Sequence, residues 1–376
     1  MLHWKSERLG SLCDVLDSKR KPITKRHRIA GPFPYYGATG VLDHVAGYLF
    51  NEPLVLVGED GAKWGSGEST AFPVQGKVWV NNHAHVLRPH RDAILDSWLI
   101  YHLNHLDLTP FVTGLTVPKL NQGNLVEIPV PVPPLAEQQR IVGILDEAFE
   151  GIATAKANAE QNLRNARALF ESHLDFALTQ SGPGWVERRF DEVCSITSTL
   201  VDPRKDEYRQ LIHVGAGNIE SKTGAFVELK TAQEEGLISG KFLFDESMVL
   251  YSKIRPYLMK VARPDFSGLC SADMYPLTPN PNVANRDFLF HLLLSKHFTD
   301  YAILGSARAG MPKVNRQHLF EFRVSLPSVK VQQRIASGLD QLHDDTQRLA
   351  GLYDAKLRLL DALKKSLLHH AFSGQL

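Results

Sequence analysis

Near its end the chain places Leu339, Leu342, Thr346, Leu349, Tyr353, Lys356, Leu360, Leu363 and Leu367 at alternating spacings of three and four. That interval keeps one face of an α-helix against a partner helix, so the run predicts a coiled-coil seam with Thr346 and Lys356 as its polar interruptions. A second run, with Ile152, Ala155, Ala159, Ala166, Phe170, His173 and Ala177, has the same class of spacing. Small alanines opposite leucines permit close approach. One antiparallel helix pair is expected, each member roughly 60 Å long; two separate bundles are the alternative.

The other apolar runs are short. Residues 54–57, 78–80 and 248–251 read as strands, and Gly37, Gly40, Gly58, Gly61, Gly65 and Gly67 punctuate the first of these regions as turns. Short helices are predicted over 94–106 and 287–298. The prolines of 129–134 and the Leu326-Pro327 pair cannot continue a helix and mark the exits from two globular regions. The fold class is therefore α/β: two globular domains with twisted sheets, separated by two long helices.

The chain is also a repeat of itself. Residues 115–147 align without a gap on 309–341, 194 positions later, with 13 of 33 identical. The identities include Pro118/Pro312, Lys119/Lys313, Asn121/Asn315, Gln138/Gln332, Arg140/Arg334 and Asp146/Asp340. The register continues through Leu163/Leu357 and Ala177/Ala371, while the two starts match at an offset of 181, Trp4 with Trp185 and Cys13 with Cys194. Between start and end the halves diverge, and the second is longer there. Two copies of one plan suggest two halves related by a pseudo-two-fold axis. Cysteines at equivalent positions read as small buried core residues.

Composition narrows the class only slightly. At 376 residues the chain is long for one core, which favours two domains. No apolar run is long enough for a membrane helix, no signal peptide is visible at the start, and the three cysteines lack metal-ligand spacing. A cytoplasmic protein without a membrane or a metal site is expected. The net charge of +1 announces no nucleic-acid binder, so any DNA-binding face must come from the arrangement of charges.

Such arrangements exist. Lys19, Arg20, Lys21, Lys25, Arg26 and Arg28 fall within ten residues with no acid among them, a density suited to phosphate contacts or simply to a solvated loop. Lys253, Arg255, Lys260 and Arg263 surround Tyr257, and Arg308, Lys313 and Arg316 form a third group. Asn81, Asn82, His83 and His85 can donate to and accept from base edges, though ordinary strand or turn hydrogen bonding uses the same atoms. Trp64, in a glycine-rich loop, could wedge against DNA or pack beneath the loop. Enzyme signatures are missing: Gly215-x-Gly217 is followed by Glu220 where a dinucleotide loop needs glycine, and no Gly-Lys-Ser/Thr follows Gly65-Ser66-Gly67.

The phrase Leu115-Thr116-Val117-Pro118-Lys119-Leu120-Asn121, leading to Pro133-Pro134-Leu135-Ala136-Glu137-Gln138-Gln139-Arg140-Ile141, resembles the junction after a recognition domain in specificity subunits of type I restriction–modification systems. Tyr35-Tyr36-Gly37-Ala38-Thr39-Gly40, Val57-Gly58-Glu59-Asp60-Gly61, Trp79-Val80-Asn81-Asn82-His83-Ala84-His85 and Val249-Leu250-Tyr251-Ser252-Lys253-Ile254-Arg255-Pro256 are similar to the same family. At the second junction, Val331 stands where the first has Glu137, a small departure. The resemblance implies target recognition domains at 1–134 and 183–327, each reading half of a bipartite double-stranded DNA site. It implies helical regions at 135–182 and 328–376 that set the spacing and bind two methyltransferase subunits, with restriction/translocase subunits completing the complex. No cofactor is expected on this chain; S-adenosylmethionine, ATP and Mg²⁺ belong to the partners. Lys63 and Lys119 join the basic groups as expected DNA contacts. The alternatives are a coiled-coil scaffold without specific DNA binding and a self-contained DNA-modifying enzyme.

Overall fold

The computed structural model describes residues 4–114, 116–180, 182–196, 199–306 and 311–376. They form two compact units, Met1–Glu160 with Asp354–Leu376, and Gln161–Tyr353.

In the first unit, Cys13–Val15, Ala84–Pro89, Leu54–Gly58 and Ala71–Val74 pair in that order as an antiparallel sheet. Leu54–Gly58 is buried along its whole length because successive side chains enter different cores. Val55 and Val57 pack with Trp98, Leu99 and Leu103 of the helix Asp96–His105. Leu54 and Leu56 face Val78, Val80 and Phe50 of a second sheet. Burial on both faces explains a continuous apolar run where a half-exposed strand would alternate; each such side chain contributes about 2 kcal/mol. The second sheet has the order Gly40–Val45, Ala30–Gly37, Lys77–Val80, Phe50–Asn51, with its middle pair parallel. Ser6–Arg8 pairs with Pro129–Pro131, closing the start of the domain onto its exit.

The second unit repeats the plan. Cys194–Ser195, Met274–Pro279, Val249–Ser252 and Val261–Ala262 form the four-stranded sheet. Val249 and Tyr251 enter one core and Leu250 the other, as in the first copy. The second sheet here has five strands, again with one parallel pair, Ile212–Val214 beside Gly268–Cys270. Val186–Arg189 pairs with Arg323–Leu326 as the closing strap. The helix expected over 287–298 is two helices, Arg286–Leu294 and Lys296–Leu304. Ser295 ends the first by donating to the Leu292 carbonyl (2.7 Å) and caps the second by accepting the Phe298 N–H (3.2 Å).

The proline-rich exits lead into two helices of 44 residues, Leu135–Leu178 and Val329–Phe372, each about 66 Å of rise. In the first unit the start of the former meets the end of the latter: Ile141 and Leu145 share a core with Leu368 and Ala371, and Lys156 pairs with Asp361 at 2.7 Å. In the second unit Leu174 and Leu178 share a core with Ala336 and Leu339, and the rings of Phe170 and His343 lie 5.0 Å apart. The pairing is antiparallel in both. Ile152, Ala159 and Ala166 are buried as the alanine-rich spacing predicts. The leucine-rich seam is shifted, however. Thr346, Ala350 and Leu368 are buried, whereas Leu349 and Leu363 are exposed, so small Ala350 takes the contact that leucine spacing assigned to Leu349. Thr346 turns its hydroxyl onto the carbonyls of Leu342 and His343, which satisfies it without a partner helix.

The three cysteines are buried and unpaired; burial pushes the Cys13 and Cys270 thiols up to about 12 and the Cys194 thiol higher still, so all three behave as core residues. No helix is long and apolar enough to cross a membrane among the described residues.

Candidate nucleic-acid interface

In each domain the loop after the central strand is stitched to the segment approaching the junction, and the stitches correspond. Leu120 N–H donates to the Glu59 carbonyl (2.8 Å) and Val314 N–H to the Lys253 carbonyl (2.8 Å). Asp60 bridges Lys119, and Ile254 bridges Lys313. Glu59 N–H reaches the His83 carbonyl (2.9 Å), as Lys253 N–H reaches that of Asp273 (3.0 Å). His85 Nε2–H donates to the Leu120 carbonyl (2.7 Å), and the Tyr275 hydroxyl donates to that of Val314 (3.0 Å). The backbones agree while the side chains they carry differ.

The first domain fills this place with a buried ionic cluster. Arg20, only 13% exposed, pairs with Asp17 at 3.1 Å and also with Glu59; Lys119 pairs with Glu59 at 2.9 Å. Burial alone would raise the Glu59 carboxyl, but hydrogen bonds from Lys119 and Arg20 hold it below the usual carboxylate range. His85 is fully buried with Nδ1 against Asp17, and half-exposed His83 contacts Asp60. Asn81 is buried and accepts the His83 N–H on its side-chain oxygen (2.8 Å). Thus Arg20, Lys119, Asn81 and His85, all expected at the DNA, each have a hydrogen bond or ion pair within the domain, with Arg20, Asn81 and His85 largely buried and Lys119 part-exposed. Ligand atoms of Asp17, Glu59 and His85 lie within 4.8 Å of one another, the one such grouping among the described residues. Arg20 and Lys119 already neutralise its carboxylates, so the chemistry is that of a salt-bridge network.

The basic loop divides in two. Arg28 is held by Asp43 (3.1 Å), by the Ile23 carbonyl and by the Tyr35 ring at 4.3 Å. Lys19, Lys21, Lys25 and Arg26 are exposed, and the short 3-10 turn Lys25–His27 presents the last two together. Asn82 is likewise exposed, as is Lys63, with Glu68 4.0 Å away. Trp64 packs against the core and donates its ring N–H to the Gly58 carbonyl (3.1 Å).

In the second domain the corresponding place is basic. Lys253 lies 5.1 Å over the Tyr275 ring and donates to the Ala272 carbonyl. Its ammonium is pulled down by burial and then by Lys313; Asp273 offsets part of this and Arg316 adds to it. Arg255, Lys313 and Arg316 are exposed, and Lys313 has Asp273 at 3.7 Å as its one acid among the described residues. Lys260 is turned inward onto the Ala216 carbonyl (2.6 Å). Arg263 lies 4.6 Å over the Phe290 ring and pairs with Asp287 and Asp340, away from the cluster the sequence suggested. Arg308 falls outside the described residues. What sequence reading missed was the set of acids, Asp17, Asp43 and Glu59, that capture basic side chains: Asp17 holds Arg20 three residues on, while Asp43 and Glu59 reach Arg28, Arg20 and Lys119 from other segments, pairs that no local spacing signals.

Sequence comparison agrees with this duplicated layout. The family model for the type I restriction modification DNA specificity domain matches residues 1–163 and again 183–353. The chain is 27% identical to the type I restriction enzyme EcoDI specificity subunit of Escherichia coli over 409 residues, covering 99% of this chain and 88% of that one. Its fold is similar to that of a chain in a solved type I R-M system, with a TM-score of 0.74 at 17% identity, covering 100% of this chain and 99% of the other. It is also similar to the HsdS subunit from Thermoanaerobacter tengcongensis, with a TM-score of 0.60 at 17% identity over 100% and 98% of the two chains. Two matches to one domain model, on the two halves that repeat each other, leave one conclusion: the chain belongs to the family of type I restriction–modification DNA specificity subunits.

Proposed function

We propose that this non-catalytic specificity subunit reads a bipartite double-stranded DNA site, one half through residues 1–134 and the other through residues 183–327. The helical regions 135–182 and 328–376 hold the two readers apart and dock two methyltransferase subunits, to which restriction/translocase subunits add. S-adenosylmethionine, ATP and Mg²⁺ act on those partners, in the cytoplasm where the DNA is. The observation that carries this reading is one backbone plan with different side chains at matched positions: Glu59 and Asp60 in the first domain, Lys253 and Ile254 in the second. Equivalent frames with unlike polar surfaces suit two readers of unlike sequences. Lys19, Lys21, Lys25, Arg26, Lys63, Lys313 and Arg316 supply phosphate contacts, and Asn82, His83, Lys253 and Arg255 lie where bases would be approached.

Exchanging residues 183–327 for the corresponding domain of another family member tests this in a host carrying the methyltransferase partner. One half of the methylated motif should change and the other remain. A change in both halves, or in neither, would overturn the proposal.

A further inference from the structure

Among the described residues, the four non-glycine residues with left-handed backbone are Lys222, Glu228, Arg255 and Met259, and two of them flank a single turn of the second domain. Arg255 (φ +50°) precedes the 3-10 turn Pro256–Leu258, and Met259 (φ +50°) follows it. An L-residue is costly there, more so when proline follows, because proline favours extended backbone in the residue before it. The turn is nevertheless held firmly. Arg255 N–H donates to the Pro312 carbonyl (2.9 Å), Leu258 N–H to that of Arg255 (2.9 Å), and Ser252 N–H to that of Lys260 (3.0 Å).

The first domain shows what this backbone ordinarily requires. Asp60 corresponds to Ile254 through their bridges to Lys119 and Lys313, so the residue matching Arg255 is Gly61. Gly61 has φ +69°, and a Cβ built on it would meet nothing within 4 Å. A side chain at this turn therefore projects into open space. Arg255 is exposed, and no other described residue offers its guanidinium a hydrogen bond or an ion pair. It belongs to the loop that carries Lys253, and its N–H bond to the Pro312 carbonyl sets its backbone beside that of Lys313; Lys313 and Arg316 add to burial in lowering the Lys253 ammonium, with Asp273 opposing them. Packing does not explain an arginine where glycine costs least, since its side chain touches no core. Strain of this kind, retained on a rigid turn, is a mark of function.

We propose that Arg255 is a specificity-determining residue of the second domain, its guanidinium reading a guanine of that domain's half-site through the paired N7 and O6 acceptors. Lys313 and Arg316 hold the phosphates on either side. This rests on the reading of residues 183–327 as a half-site reader, and the first half-site serves as an internal control.

The test compares wild type, Arg255→Gly and Arg255→Lys in the complex with methyltransferase partners, by methylome sequencing and by competition binding on duplexes that vary each position of the motif. Arg255→Gly, which restores the residue of the first domain, should melt at or above the wild-type temperature. It should lose roughly 5- to 150-fold of discrimination at one guanine–cytosine pair of the second half, with the first half intact. Arg255→Lys should keep part of the affinity and lose most of the discrimination, because a point charge cannot reproduce the planar fork. An unchanged motif, equal weakening on cognate and non-cognate DNA, relaxation in both halves, or a lower melting temperature for Arg255→Gly would each overturn the proposal. A wild-type complex with no bipartite motif would instead remove the reading beneath it.

Discussion

Gln138 and Gln332, matched across the internal repeat, make the same three hydrogen bonds in their respective units. Gln138 accepts the Leu95 N–H on its side-chain oxygen (2.9 Å) and donates to the carbonyls of Ala93 (2.9 Å) and Pro133 (2.8 Å). Gln332 accepts the Asn285 N–H (2.8 Å) and donates to Val283 (2.8 Å) and Pro327 (2.9 Å). Both are fully buried. Each bolts the N-terminus of a recognition-domain helix to a long helix, and about two turns later Asp146 and Asp340 add a second bolt to Tyr101 and His291.

Replacing either glutamine with alanine strands one donor and two acceptors in the interior. Gln138→Ala and Gln332→Ala should each destabilise their own unit by about 2–4 kcal/mol. Urea unfolding followed by a probe in each unit will check this. A loss below half a kilocalorie, or equal losses in both units from one substitution, contradicts the bolt.

Arg20 lies within the basic loop, yet its side chain neutralises Asp17 and Glu59. Arg20→Ala leaves two buried carboxylates short of a cation, and should cost about 3–5 kcal/mol of stability. At a temperature where the variant is still folded, the salt dependence of its DNA binding should match wild type. A changed salt slope without a change in unfolding midpoint would return Arg20 to the DNA.

His102 donates Nε2–H to the Pro129 carbonyl (2.8 Å), while Nδ1 is buried without a partner. Burial pushes the imidazole from its ordinary value of 6.5 down to about 4. The unfolded chain takes up a proton below pH 6.5 that the folded chain refuses, so stability rises with pH through this window and is lost as pH falls from about 6.5 to about 4, by about 3 kcal/mol. His102→Gln keeps a donor and does not titrate. Its unfolding free energy should therefore fall less steeply over that range, leaving the smaller shares of His105, His213 and His343, which burial also pulls down. Parallel pH profiles for variant and wild type would refute the assignment.

Much of the architecture is legible in the sequence because repetition shows it twice. The identities at Gln138/Gln332 and Asp146/Asp340 mark residues whose partners are nearby backbone and one facing helix, so both copies preserve them. The strand Leu54–Gly58 is legible because burial on two faces makes it uniformly apolar. The exact seam of the C-terminal helix is not, since leucines at 349 and 363 and alanine at 350 all fit a helical period, and only tertiary packing decides that Ala350 is covered while the leucines are exposed. The set proposed to face DNA is least legible. Lys25 and Arg28 look alike in sequence, and what separates them is Asp43, a neighbour brought up by the adjoining strand.

That separation sharpens the prediction for the basic loop. Lys21, Lys25 and Arg26 are exposed and no acid among the described residues holds them, whereas Arg28 is fixed by Asp43 and Tyr35. If the three free cations reach phosphates, neutralising them together should flatten the log–log salt dependence of DNA binding by about 2.7, at 0.9 per contact. Cognate and non-cognate duplexes should weaken alike, because phosphates carry no sequence code. Arg28→Ala should leave that slope unchanged and lower the unfolding midpoint instead, through the lost ion pair and ring contact. The measurement is a salt titration of binding by the assembled type I restriction–modification complex, run on both duplexes. An unaltered slope in the triple variant would show that these side chains face only solvent. A loss confined to cognate DNA would mean that the loop reads bases, and the division of labour between it and the loops at Glu59 and Lys253 would have to be redrawn.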